Sequence, residues 1–271
     1  MTIEYLSSMP EVHRQFLRRL VEGLRVDARF VGVAAGGSLL ANSMDEFSDL
    51  DLVIAVEPER YANVMAERVQ IAASLGQLLT AFTGEHVGEP RLLICLYDAP
   101  LLHVDLKFVS LNDVAERVED PAVLWERAGR FERALAASKP EYPAPNLQWI
   151  EDRFWTWVHY GATKIGRGEL FEAIGLLSFL RESVLGPLGL RRAGGRPAGV
   201  RRIEFIAPDF ARELRQTVAT YDVVDCLRAL RVSVELYRSL RPNTTEVEHR
   251  RTAERAAMDY VSGMEIRCGL T

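Results

Sequence analysis

Apolar residues recur at helical spacing early in the chain. Val12, Phe16, Leu20 and Leu24 lie four apart and share one face, and Ser8 with Glu11 three residues on reads as a capping box that opens the helix. Arg29 to Ala35 follows as a short apolar run stopped by Gly36-Gly37, the pattern of a buried strand ending in a turn. Leu39 to Ala41 reads as the start of a short helix. Ser48 to Val56 reads as a second strand, ended by Pro58, and Tyr61 to Leu79 as a helix. Arg91 to Tyr97 and Leu101 to Phe108 are two further apolar stretches, and Asp98-Ala99-Pro100 between them is a hairpin signal. The first 110 residues or so thus predict a mixed sheet with helices that finishes in an antiparallel pair.

Beyond Leu111 the pattern turns helical. Pro121 to Ala137 reads as one helix with proline at an early position. Pro140, Pro143 and Pro145 make a stiff connector, which places a domain boundary there, with an N-terminal domain over 1–138 and a C-terminal one over 139–271. Trp149 to Gly166, Glu169 to Leu185, Asp209 to Leu240 (broken near Thr220) and Thr244 to Met264 read as helices. Gly186 to Arg202, rich in glycine and arginine, reads as a loop. The expected fold class is α/β (α+β): an N-terminal mixed-sheet domain followed by an all-helical C-terminal domain.

Composition narrows the class. The chain has 271 residues, 48% hydrophobic and 26% charged, which suits a globular protein with a substantial core and excludes a disordered or collagen-like chain. The apolar runs Ala173 to Leu180 and Leu92 to Leu96 fall short of the roughly 20 residues that span a bilayer. No basic segment followed by an apolar core stands at the start. Cys95, Cys226 and Cys268 are odd in number and widely spaced, which argues against a zinc cage and for a reducing compartment. A cytoplasmic protein without membrane contact is therefore expected. The net charge of −5 weighs against a broad nucleic-acid-binding face. Only Lys107, Lys139 and Lys164 are lysine among the 33 cationic side chains, which singles each of them out.

Strand periodicity locates the chemistry. In Asp49-Leu50-Asp51-Leu52-Val53-Ile54 the leucines and Ile54 share one face, while Asp49 and Asp51 share the other. Leu102, Val104, Leu106 and Phe108 likewise share a face, leaving His103, Asp105 and Lys107 opposite. Three carboxylates on neighbouring strands repel one another unless a cation sits among them, and magnesium, with its oxygen ligands and its tolerance of phosphate, suits that place. Asp-x-Asp on a strand also fits a solvated edge. Gly36-Gly37-Ser38 shifts the balance, because it ends a strand ten residues before Asp49, and glycines let backbone N–H groups approach an anion closely. No Walker-type loop or Gly-x-Gly-x-x-Gly run is present.

Val33-Ala34-Ala35-Gly36-Gly37-Ser38, then Asp49-Leu50-Asp51-Leu52, then Val104-Asp105-Leu106 resemble the signature of the DNA polymerase β-type nucleotidyltransferase superfamily. A small nucleotidyltransferase domain followed by a helical one is similar, more narrowly, to the antibiotic adenylyltransferases acting on aminoglycosides and lincosamides. The motifs cover residues 30 to 110, roughly, and Ala35 is a weak version of the apolar residue that usually precedes the glycines. The resemblance implies that Asp49 and Asp51 bridge two Mg²⁺ ions. It implies that Asp105 completes the metal site and can accept the proton of the attacking hydroxyl, and that Gly36, Gly37 and Ser38 bind the triphosphate of ATP. It implies transfer of AMP to a hydroxyl of a small molecule by a monomer or homodimer, an antibiotic-resistance activity where the acceptor is an antibiotic. Transfer of AMP to a protein or tRNA, and a non-catalytic nucleotide-sensing module, are the alternatives.

One helical stripe has a reading of its own. Arg153, Trp157, Tyr160, Lys164 and Arg167 are spaced by four, three, four and three, so they line one face. Either Lys164 and Arg167 meet the nucleotide's phosphates, with Lys164 as the compact point charge suited to the β- and γ-phosphates, or the stripe is an ordinary amphipathic face. The spacing fits both.

Overall fold

The two acid-bearing strands form as expected and lie side by side. In the computed structural model, which describes residues 9–41, 43–242 and 247–270, β1 (Phe30–Ala35), β2 (Leu50–Val56), β3 (Gln77–Gly84), β4 (Glu89–Asp98), β5 (Leu102–Ser110) and β6 (Ala122–Glu126) make one mixed sheet. Its order is β3-β4-β5-β2-β1-β6. β2 and β5 are parallel, and the other neighbours are antiparallel. A parallel pair needs a long crossover, and here residues 57–101 supply it with α2 (Tyr61–Ser74) and the β3–β4 hairpin. The chain divides into two compact units, 1–142 and 143–271.

The sheet buries its faces unequally. Leu50, Leu52, Ile54, Val104, Leu106 and Phe108 pack under α1 (Glu11–Arg25) and α2, against Phe16, Leu17, Leu20, Leu24 and Val64. Val12, expected on that helix face, is exposed, and His13 and Leu17 are buried in its place. Ser8, the expected capping residue, lies outside the described residues. On the reverse face Val31, Ala34, Ala55 and Val109 meet Val114 and also Phe131, the latter from α3 (Arg130–Leu135). The near ends of β2 and β5 carry Asp51 and Asp105 on that reverse face.

Three expectations need correction. The helix expected over 61–79 stops at Ser74, and Gln77–Gly84 pairs with β4 as an edge strand. The helix expected over 121–137 splits: Ala122–Glu126 pairs with β1, and only Arg130–Leu135 is helical, opened by Gly129 at φ +67°. The loop expected over 186–202 begins as α6 (Gly186–Arg192). Its glycines are packing positions, since a Cβ on Gly189 would lie 2.0 Å from the Phe210 ring and one on Gly186 2.4 Å from the Gly199 carbonyl oxygen.

The second unit is helical among its described residues. It comprises α4 (Leu147–Gly166), α5 (Leu170–Leu180), a π-helical turn over Arg181–Leu185, α6, α7 (Ile203–Ile206), α8 (Pro208–Leu214), α9 (Val223–Leu240) and α10 (Arg251–Arg267). The break expected near Thr220 falls there, and Asp222 caps α9 by accepting from the Asp225 N–H at 2.9 Å. Residues 244–246 of the helix expected from Thr244 lie outside the described residues, and α10 starts at Arg251. The 23 residues Leu170–Arg192 are long and apolar enough to cross a membrane by length and composition, contrary to the count of apolar runs, and 61% of that window is buried inside the structure. Glu151 of α4 is fully buried. Burial pushes its carboxyl up, but the Tyr237 hydroxyl (2.6 Å), the Trp155 indole N–H (3.0 Å) and the Arg250 N–H (2.9 Å) all donate to it and leave it below its ordinary value.

Candidate active site

Asp51 and Asp105 occupy the same register position on β2 and β5. In a parallel pair, residues in register point to one face, so the two carboxylates rise together from the near end of the sheet. His103, two residues before Asp105 and on the same face, places its Nε2 3.0 Å from Asp105 Oδ1. Lys107, next along that face, turns instead to Glu89 on β4, at 2.7 Å. Asp49 stands one residue before β2 begins, half-buried. The segment leading into it is pinned by His13, a buried side chain of α1 whose Nε2 lies 2.6 Å from the Ser48 carbonyl oxygen.

The glycine bend reaches the acids directly. Gly36 N–H donates to the Asp51 carbonyl at 2.9 Å, which locks the end of β1 to the start of β2. Gly37 follows at φ +61°, in the left-handed region that glycine enters without cost, and Ser38 completes the single helical turn Gly37–Leu39. A Cβ on Gly37 would stand 1.9 Å from Asp51 Oδ2, so a side chain there cannot coexist with this aspartate. The Gly37 N–H donates to Glu119 Oε1 at 3.2 Å. A carboxylate thus already sits on the amide that the sequence assigns to a phosphate. Glu119 was not singled out by the sequence, because it lies between elements in a polar stretch with no periodicity.

Among the described residues no group of three or more His, Cys, Asp or Glu side chains is placed to hold a metal ion. Of the trio expected from the sequence, Asp51 and Asp105 share a register position and Asp49 stands two residues before Asp51. That pair still fits magnesium, which in phosphate-handling sites takes one or two protein carboxylates and completes its six oxygens with water and substrate phosphates. The glycine bend puts backbone against Asp51 where a side chain would clash, and the Glu119 carboxylate lies on its Gly37 amide.

The stripe of α4, in the second unit, is occupied by its own helix pair. Lys164 Nζ lies 2.6 Å from Glu169 Oε2 and 2.8 Å from Glu172 Oε2, Glu169 and then Glu172 raising the lysine's pKa. Arg167 pairs with Glu169 at 2.8 Å, and Tyr160 donates to Glu172 at 2.7 Å. Arg153 stacks over Trp149 at 4.4 Å, and Trp157 packs edge-on to Phe179.

No protein-family model matches the chain, and none of the curated proteins does. Among solved structures it is similar to an aminoglycoside 6-adenyltransferase from Bacillus subtilis, at 14% identity and a TM-score of 0.39, over 91% of this chain and 96% of that one. It is also similar to a nucleotidyltransferase-like protein from Exiguobacterium sibiricum, at 16% identity and a TM-score of 0.37, over 94% and 91% of the two chains. A third likeness is to a STING-associated CdnE c-di-GMP synthase from Capnocytophaga granulosa, at 10% identity and a TM-score of 0.33, over 88% and 82%.

Proposed function

We propose that this chain is a magnesium-dependent nucleotidyltransferase that moves AMP from ATP to a hydroxyl of a small molecule. The observation that supports this reading above all others is the Asp51–Asp105 register pair with Gly37 packed against Asp51. Asp51 and Asp105, with Asp49 at the strand's entry, would hold magnesium. The metal, when bound, stabilises negative charge on the phosphate oxygens. Gly37 and Ser38 offer backbone N–H groups to the triphosphate once Glu119 yields the Gly37 amide, and Gly36, whose own N–H is held by the Asp51 carbonyl, shapes the bend that binds it.

The chain's own part in the reaction is positioning and proton handling. The acceptor hydroxyl attacks the α-phosphorus and forms a new P–O bond. The bond to the pyrophosphate oxygen breaks, and pyrophosphate leaves with the electron pair. Asp105 takes the hydroxyl's proton, and His103 holds that carboxylate in place through its 3.0 Å contact. His13 fixes the Ser48 carbonyl and with it the approach to Asp49.

The resemblance in domain arrangement supports an aminoglycoside-like or lincosamide-like acceptor, and the net charge of −5 suits a polycationic one. A cytoplasmic location belongs to the same proposal. Incubation with ATP, Mg²⁺ and a panel of aminoglycosides and lincosamides should release pyrophosphate and add one adenylyl group to an acceptor, read by mass spectrometry. An adenylylated protein or tRNA in place of a small molecule would support the alternative reading. Absence of both turnover and nucleotide binding would overturn the assignment.

A further inference from the structure

The second unit contains a cavity of about 740 Å³ where the end of α9 meets the start of α10. That volume falls within the range of small-molecule sites. Arg238, Arg241, Arg251 and Arg255 line it, against two carboxylates, Glu254 and Asp259. Glu254 is shared by Arg238 and Arg241, each at 2.8 Å. Arg241 is mostly buried and has the fully buried Glu151 behind it at 3.6 Å, so the wall of the cavity is held in place. Arg251 and Arg255 are exposed, stand four residues apart on one helix face, and make no ion pair with a described carboxylate.

We propose that this cavity is a binding site for a phosphate-bearing small molecule, with Arg251 and Arg255 as the groups that grip the phosphates. Two open guanidiniums match the oxygens of a di- or triphosphate in the bidentate manner lysine cannot supply. A purely surface pair of arginines lacks the walls, and an apolar ligand leaves the two open guanidiniums without a partner. The site is built by residues of the second unit alone and does not depend on the chemistry assigned to Asp51 and Asp105.

Calorimetric titration of the full-length protein with inorganic pyrophosphate in excess EDTA tests the proposal. Wild type and the D51N/D105N variant should bind with dissociation constants within twofold of each other. R251Q/R255Q should weaken binding at least tenfold with its melting temperature unchanged, and R251K/R255K should bind at an intermediate level. Undetectable binding by the wild type at millimolar pyrophosphate, unchanged binding by R251Q/R255Q, or loss of binding in D51N/D105N would each overturn the site. Preference for a short single-stranded RNA over pyrophosphate by tenfold or more, abolished in R251Q/R255Q, would overturn the small-molecule assignment in favour of a nucleic-acid face.

Discussion

Gly37 and Asp51 are so closely apposed that a Cβ on the glycine would lie 1.9 Å from the aspartate's Oδ2. The glycine is also at φ +61°, where any other residue is strained by about 1–2 kcal/mol. Gly37→Ala should therefore displace Asp51 from its register partner Asp105. The expected outcome is a loss of about 100-fold or more in kcat/KM for pyrophosphate release, on the scale of removing one charge-stabilising group, with a modest fall in Tm. Activity within threefold of wild type would show that Asp51 does not need this bend.

Glu119 holds the Gly37 amide that the proposed triphosphate site uses. Replacing it with glutamine removes a negative charge from the phosphate position while keeping the side chain's size. E119Q should lower the Kd for ATP about three- to tenfold by fluorescence titration, since the carboxylate no longer competes. Weaker ATP binding would mean that Glu119 belongs to the metal's ligand set instead.

Lys164 is enclosed by Glu169 and Glu172, and the exposed Arg167 pairs with Glu169. K164Q should leave the KM for ATP within twofold of wild type and lower the melting temperature slightly. A KM raised tenfold or more would show that the ammonium leaves its carboxylates to meet the triphosphate.

The polar faces of β2 and β5 were legible because Leu50, Leu52 and Ile54 alternate with Asp51, and Val104 and Leu106 with Asp105; period two is a strong signal when one face is buried. β3 was not legible, because Leu78 and Leu79 prolong the helical spacing of Ile71 and Leu75, and the edge strand is largely exposed, which weakens its alternation. Ala122 to Glu126 has no strand signature of its own beyond Val123 and Trp125; pairing with β1 decides its state, and that partner is ninety residues away. Gly186 and Gly189 were read as breakers when they serve close packing inside a helix. The motif places the glycine bend near the acids, whereas the direct approach of Gly37 to Asp51, Glu119 and the arginine cavity depend on contacts that no local pattern encodes.

Two carboxyls in this structure are strongly depressed. Arg91, and after it Lys107, hold Glu89 at about 2, against the burial that opposes them. The Thr220 N–H and hydroxyl, with Arg228, hold Asp225 at about 2. A carboxyl whose pKa is lowered on folding adds stability that is complete above its unfolded value and disappears as pH falls through the folded one. The melting temperature should therefore drop between about pH 4.5 and pH 2, and E89Q should flatten part of that fall while lowering Tm at pH 7. A melting profile from pH 5 to pH 2 that is the same for E89Q and wild type would contradict this.

The most direct test of the Asp51–Asp105 pair is metal-dependent nucleotide binding, measured by Mn²⁺ electron paramagnetic resonance with a non-hydrolysable ATP analogue. Wild type should bind manganese and the analogue together, far more tightly than either alone, and D51N/D105N should lose that mutual enhancement while remaining folded. Equal binding of the analogue with and without manganese, or enhancement that survives in D51N/D105N, would contradict a catalytic metal site between these two strands.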